Sequence, residues 1–103
     1  MEQQIFLQRI KDIVLSIDKD AKVILYGSRA RGDNRNDSDW DFLVITKKNT
    51  NDSLKRLIRK GLVNIELESG QSISMYGKHF GEWENKHRIT PLYKNVQKEG
   101  IFL

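Results

Sequence analysis

Two aspartates one residue apart, Asp39 and Asp41, are the part of this 103-residue chain best suited to chemistry. They stand at the start of an apolar run, Trp40 to Thr46, that reads as a strand. Strand side chains at i and i+2 share a face, about 6.5–7 Å apart at the backbone, so both carboxylates can converge on one hard cation. Mg²⁺ (or Mn²⁺) is commonly held by one or two carboxylates plus substrate phosphates, so two aspartates are enough to begin a site. A pair of metals would need a further carboxylate. The competing reading is two solvated side chains at a sheet edge. Aspartate is disfavoured in strands, however, and two of them beside Trp40 and Phe42 break a local rule in the way functional sites do.

A second segment lies upstream, where the apolar run Val23 to Tyr26 stops at Gly27-Ser28. Gly27 allows close approach to the backbone, and amides at a helix N-terminus attract phosphate. Arg29 and Arg31 add the option of charge-assisted contacts. Alone, the same residues also describe an ordinary strand-to-helix turn with solvated arginines. The segment is not a P-loop, because the Gly-Lys-Ser/Thr ending is absent.

The elements that must position these residues follow from periodicity. Ile5, Phe6, Ile10, Ile13, Val14 and Ile17 recur at helical steps, so residues 3 to 18 read as an amphipathic helix. Lys22 to Tyr26 is a short buried strand, Ser28 caps a helical turn through Arg31 that Gly32 closes, and 33 to 38 is a polar loop. Leu54, Leu57 and Ile58 predict a helix over about 51 to 60, with Gly61 just past its end. Val63, Ile65 and Leu67 alternate with Asn64, Glu66 and Glu68, which predicts a strand; Ser69-Gly70 then reads as a hairpin turn into a returning strand, Gln71 to Lys78. A short helix is expected around Glu82 to Asn85, and Thr90-Pro91 starts a last helix that runs to Glu99 before an apolar tail. The order predicts an α/β fold, a small mixed sheet with helices packed on it, in one domain spanning 1–103.

Composition narrows the setting. Charged residues make up 31% of the chain and apolar ones 38%, the balance of a soluble globular domain. No stretch approaches a membrane span of about 20 apolar residues, and Met1-Glu2-Gln3-Gln4 is no secretory n-region. Without cysteine there is neither a disulfide frame nor a thiolate metal site, and a cytoplasmic location is the expectation. The net charge of +4 suits nucleotides, RNA or an acidic partner without choosing among them. Lys55, Arg56, Arg59 and Lys60 form a basic helix flank, read as a solvated face or as a contact for RNA or an acidic protein. His79 and His87 lack ligand-spaced partners and read as surface residues, while Trp83, Tyr93 and Phe102 read as core before base-stacking groups.

Together, Gly27-Ser28-Arg29-Ala30-Arg31-Gly32 and Ser38-Asp39-Trp40-Asp41 with its apolar run resemble the signature of the minimal nucleotidyltransferases in the DNA polymerase beta-like superfamily. The likeness is strongest over 23 to 46, and the Thr90-to-Leu103 end also resembles many such small proteins. It implies a polymerase beta-like core that moves a nucleoside monophosphate from an NTP, ATP by the family's habit, to a hydroxyl on a partner protein or RNA. By residue, it implies that Gly27 and Ser28 contact the NTP phosphates and that Asp39 and Asp41 bind metal. Arg29 and Arg31 match the motif, either steadying the triphosphate or only shaping the turn.

The family pattern also has a third carboxylate on a neighbouring strand. At that motif position this chain offers Ser72, Ser74 and Tyr76, so Glu66 and Glu68 on the expected preceding strand are the substitutes, Glu66 foremost. Small members resemble antitoxins paired with a HEPN-domain ribonuclease toxin, which makes such a toxin the expected partner. The alternative is then a nucleotide- and partner-binding subunit with weak or no turnover. Modification of small molecules, as in aminoglycoside nucleotidyltransferases, would need an acceptor pocket that this chain lacks unless a homo-oligomer supplies it.

Overall fold

A computed structural model describes residues 1–48, 51–85 and 88–103. In chain order the elements are α1 (Gln3–Ile17), β1 (Lys22–Tyr26), α2 (Ser28–Arg31), β2 (Trp40–Thr46), α3 (Asp52–Ser69), β3 (Ile73–His79), α4 (Phe80–Asn85), α5 (Pro91–Glu99) and β4 (Ile101–Phe102). The expected α/β architecture is present: a four-stranded mixed sheet in the order β3-β2-β1-β4 with helices on both faces. β1 runs antiparallel to both β2 and β4, whereas β3 runs parallel to β2. A parallel pair needs a long crossover, and α3 provides it.

The strand period divides the sheet into two faces. Val23, Leu25, Trp40, Phe42 and Val44 point to one side, where Phe6, Ile10 and Val14 of α1 and Leu54, Ile58, Leu62 and Ile65 of α3 cover them. Phe6 meets the Trp40 ring at 4.9 Å between centroids. The other side packs Ile24, Leu43 and Ile45 against Trp83 of α4 and Val96 of α5. Trp83 is buried in this smaller core and meets the partly buried Tyr93 at 4.9 Å between ring centroids, tilted by 37°, so both aromatics pack rather than project for a base. Asp18, only 2% exposed, ties the ends of α1 and β2 by accepting the N–H groups of Asp20, Lys47 and Lys48.

The strand expected at 63 to 68 and the hairpin at Ser69-Gly70 are absent; those residues continue α3 for 18 residues. The buried stripe is Leu54, Ile58, Leu62 and Ile65, at helical spacing, while Val63 and Leu67 are exposed. Gly61 therefore does not end a helix. A Cβ there would sit 2.6 Å from Ile13 Cγ2, so Gly61 lets α3 cross close to α1. The true C-cap is Gly70, in the left-handed region at φ 71°. At the other end Asn51 caps α3 through its side chain, which accepts the Leu54 N–H at 2.8 Å. The apolar tail is also more than a tail: Ile101 and Phe102 pair with Leu25 and Ile24 as β4.

Candidate functional site

β1 ends where β2 and β3 begin, so three strand ends meet at one edge of the structure. Tyr26 pairs with Asp41, and Asp41 pairs in turn with Ser74 across the parallel ladder. Asp39 and Asp41 lie on the α4/α5 side of the sheet, opposite Trp40 and Phe42, as their i, i+2 spacing predicts. Asp39 is exposed and Asp41 partly buried. Burial first, and the Asp39 charge second, push the Asp41 carboxyl above its ordinary value, with Arg31 pulling the other way. A half-desolvated carboxylate beside a second carboxylate is short of positive charge. That donor set fits a hard divalent cation.

Gly27 owes its identity to this neighbour. It adopts φ 77° and ψ −159°, a region essentially reserved for glycine, and a Cβ would fall 2.4 Å from Asp41 Oδ2. The turn makes room for the carboxylate and then enters α2, where Ala30 and Arg31 donate to the Gly27 carbonyl. Ser28 is the first residue of α2, one position inside the expected cap, and Gly32 closes the turn in the left-handed region at φ 85°.

The two arginines part company. Arg31 stays at the site: it pairs with Asp33 at 3.1 Å and with both oxygens of Glu99 at 3.1 and 3.3 Å, within electrostatic reach of Asp41. Arg29 turns away. Its guanidinium lies over the Trp40 ring at 4.5 Å and donates to the carbonyls of Ser38 and Asn36, so it fastens the 33–38 loop on the opposite face. Of the two roles open to Arg29, these contacts match shaping the turn.

Glu66 is not on the strand expected to carry it. It lies on α3, in the layer behind the sheet face opposite Asp39 and Asp41. Both oxygens are engaged, one by Arg59 at 2.7 Å and one by the Ile73 N–H at 2.8 Å, so Glu66 anchors α3 to the start of β3. Glu68, exposed on the same helix, pairs with Arg9 of α1. Neither glutamate joins the aspartates; Ser74 occupies the strand position beside Asp41. Among the described residues, no group of three or more His, Cys, Asp or Glu side chains is arranged to hold a metal.

One carboxylate at the site escaped the sequence reading. Glu99, at the end of α5, accepts the Gly27 N–H at 3.2 Å as well as Arg31. Its partners lie 72 and 68 residues away, beyond any local pattern; the one hint was the Glu-Gly step closing a capped helix. His79 accepts the Gly81 N–H at 3.3 Å, and His87 lies outside the described residues. The basic flank is partly spent inside the fold, since Arg59 also donates to the Ile73 carbonyl at 2.9 Å. A surface hollow lies between Leu15–Asp20 and Lys47–Lys48.

A Gly-Ser turn packed against an Asp-x-Asp strand on this mixed sheet defines a nucleotidyltransferase fold, and solved structures have the same shape. A toxin–antitoxin complex crystallised with AMP-PNP matches with a TM-score of 0.67 at 14% identity, over 92% of this chain and 69% of that one. A candidate nucleotidyltransferase from Sulfolobus solfataricus matches with a TM-score of 0.54 at 20% identity, over 96% of this chain and 82% of that one. The chain belongs to the nucleotidyltransferase domain family, whose model matches residues 7–103. No curated protein matches it significantly.

Proposed function

We propose that this chain is a nucleotidyltransferase that uses Mg²⁺ to move a nucleoside monophosphate from ATP to a hydroxyl of a partner protein or RNA, as one half of a two-protein toxin–antitoxin module. The observation that supports the reading is the closeness of Gly27 to Asp41, where an added Cβ would fall 2.4 Å from Oδ2. Asp39 and Asp41 would hold the metal, which when bound neutralises charge on the phosphates. Gly27 and Ser28 bring backbone to the triphosphate, and Arg31 adds positive charge beside it. In the transfer the acceptor oxygen bonds to the α-phosphorus and gives up its proton to solvent, the bond from that phosphorus to the bridging oxygen breaks, and pyrophosphate leaves. An exposed Asp39 beside a partly exposed Asp41 suits an acceptor delivered by a separate partner, as the toxin–antitoxin neighbour suggests by analogy. A HEPN-type ribonuclease toxin in the cytoplasm is the partner we put forward, in keeping with a chain in which no described helix is long and apolar enough to cross a membrane.

Mixing the protein with labelled ATP, Mg²⁺ and candidate partners should transfer label, and Asp39→Ala or Asp41→Ala should abolish transfer. Label transfer that survives both substitutions would sink the mechanism.

Ser74 favours a second reading. With a hydroxyl where the family pattern has a carboxylate, no third acid is grouped with Asp39 and Asp41 to hold a metal among the described residues. On that reading it binds nucleotide and partner with weak or no turnover. Calorimetry separates the two: Mg²⁺-dependent ATP binding and tight partner association without label transfer would select the binding subunit.

A further inference from the structure

We infer that Glu99 is a positioning residue of the nucleotide site, holding both the Gly27 turn and the Arg31 guanidinium beside Asp41. The inference rests on the nucleotide-binding reading above and adds a residue outside the Gly-Ser and Asp-x-Asp segments. Glu99 Oε1 accepts from two donors that belong to the site, the Gly27 N–H at 3.2 Å and Arg31 Nη1 at 3.1 Å. Its second oxygen receives the same guanidinium nitrogen at 3.3 Å. The Glu99 side chain is 17% exposed, whereas Asp33, the other partner of Arg31, is 62% exposed. Glu99 is thus the sheltered anchor and Asp33 the loose one.

The carboxylate is delivered by a rigid frame. Thr90 caps α5 by accepting the Tyr93 N–H at 3.2 Å, and Val96 is buried against Ile24 and its neighbours. Gly100 follows directly. A Cβ there would meet the Val96 carbonyl at 2.5 Å and Ile24 Cγ2 at 2.8 Å, so the end of α5 is pressed onto β1. β4 then pairs with β1 at Ile24 and Leu25, just ahead of Tyr26 and Gly27. The C-terminal helix and strand therefore fix Glu99 relative to the strand whose end forms the site. Charge-assisted bonds to arginine add geometric definition as well as energy, and an arginine set free regains its rotamer freedom.

The test uses the full chain with Glu99→Gln and Glu99→Ala. Glutamine keeps an acceptor for Gly27 but loses the charged pairing, and alanine loses both. In calorimetric titration with Mg²⁺ and ATP, affinity should fall in the order wild type, glutamine, alanine, by about tenfold or more for alanine, the effect of one lost charge-assisted contact. NMR of the protein without nucleotide reads positioning directly. The Gly27 amide should exchange faster in Glu99→Ala than in Glu99→Gln, and the Arg31 Nε–H signal should shift toward that of a solvated arginine in both. Unchanged Gly27 and Arg31 signals would overturn the inference. So would affinity equal to or above wild type, the latter making Glu99 an internal competitor for phosphate. If the wild-type chain bound no nucleotide, the functional reading would fall, while the ligand-free NMR would still decide whether Glu99 positions these groups.

Discussion

Replacing Gly27 by alanine should damage fold and site together, in amounts that a second glycine calibrates. Gly32 is the control: at φ 85° it is also left-handed, but a Cβ added there would have nothing within 4 Å. Gly32→Ala should therefore cost only backbone strain, about 1–2 kcal/mol. Gly27 adds two terms. Its φ 77°, ψ −159° conformation lies in a region that costs a side-chain-bearing residue about 1–3 kcal/mol. The new methyl would also meet Asp41 Oδ2 at 2.4 Å, an overpacking contact worth about 1–3 kcal/mol. Gly27→Ala should then lower stability by about 2–6 kcal/mol, a fall in Tm of at least about 8 °C for a domain of this size. Thermal melts of both variants, with Asp41→Ala and the Gly27→Ala/Asp41→Ala double variant, close the cycle. Because Asp41→Ala removes the clashing atoms, the pair should show a coupling of about 1–3 kcal/mol in the direction of recovery. A Gly27→Ala cost no larger than that of Gly32→Ala, or strict additivity in the double variant, would refute the claim that Gly27 exists to seat Asp41.

Other outcomes follow from the same geometry. Gly61→Ala should destabilise by about 1 kcal/mol in urea melts despite alanine's higher helix propensity, because overpacking against Ile13 outweighs the gain; stabilisation would contradict the close α1–α3 crossing. Burial raises the Asp18 carboxyl, but the N–H groups of Lys48, Asp20 and Lys47 outweigh it and hold the group below its ordinary value of 3.8. Its stabilisation is therefore present above that value and lost as pH falls through the native midpoint, so Asp18→Ala should cost about 3 kcal/mol at neutral pH and flatten the acid limb of the stability curve. Ser74→Asp places a carboxylate beside Asp41 and should raise Mg²⁺ affinity about tenfold by calorimetry, whereas unchanged affinity would show that β3 does not face the metal.

The parts of the fold legible in the sequence were those whose period matched only one element. α1 and β2 announced themselves by spacing, and Thr90-Pro91 marked the start of α5 at the expected residue. The failure came where two periods overlapped. Val63, Ile65 and Leu67 alternate as a strand would, yet Leu54, Ile58, Leu62 and Ile65 form the stripe that is buried. Gly61 tipped the reading by posing as a helix end, when its role is set by Ile13, 48 positions earlier in the chain (61 − 13). The site divides along the same line. Asp39, Asp41 and Gly27 could be nominated from the sequence because their spacing is local. Glu66 was misplaced with its strand, and Glu99 was missed because it reaches the site only through the tertiary fold.

The most direct test of the central claim is a calorimetric titration of ATP into the wild-type chain and into Asp41→Asn, each with Mg²⁺ and with the metal chelated. We predict binding to the wild type that requires Mg²⁺ and weakens as pH falls through the raised Asp41 midpoint, together with loss of that metal dependence in Asp41→Asn. Equal ATP binding by both proteins, with or without Mg²⁺, would contradict the account.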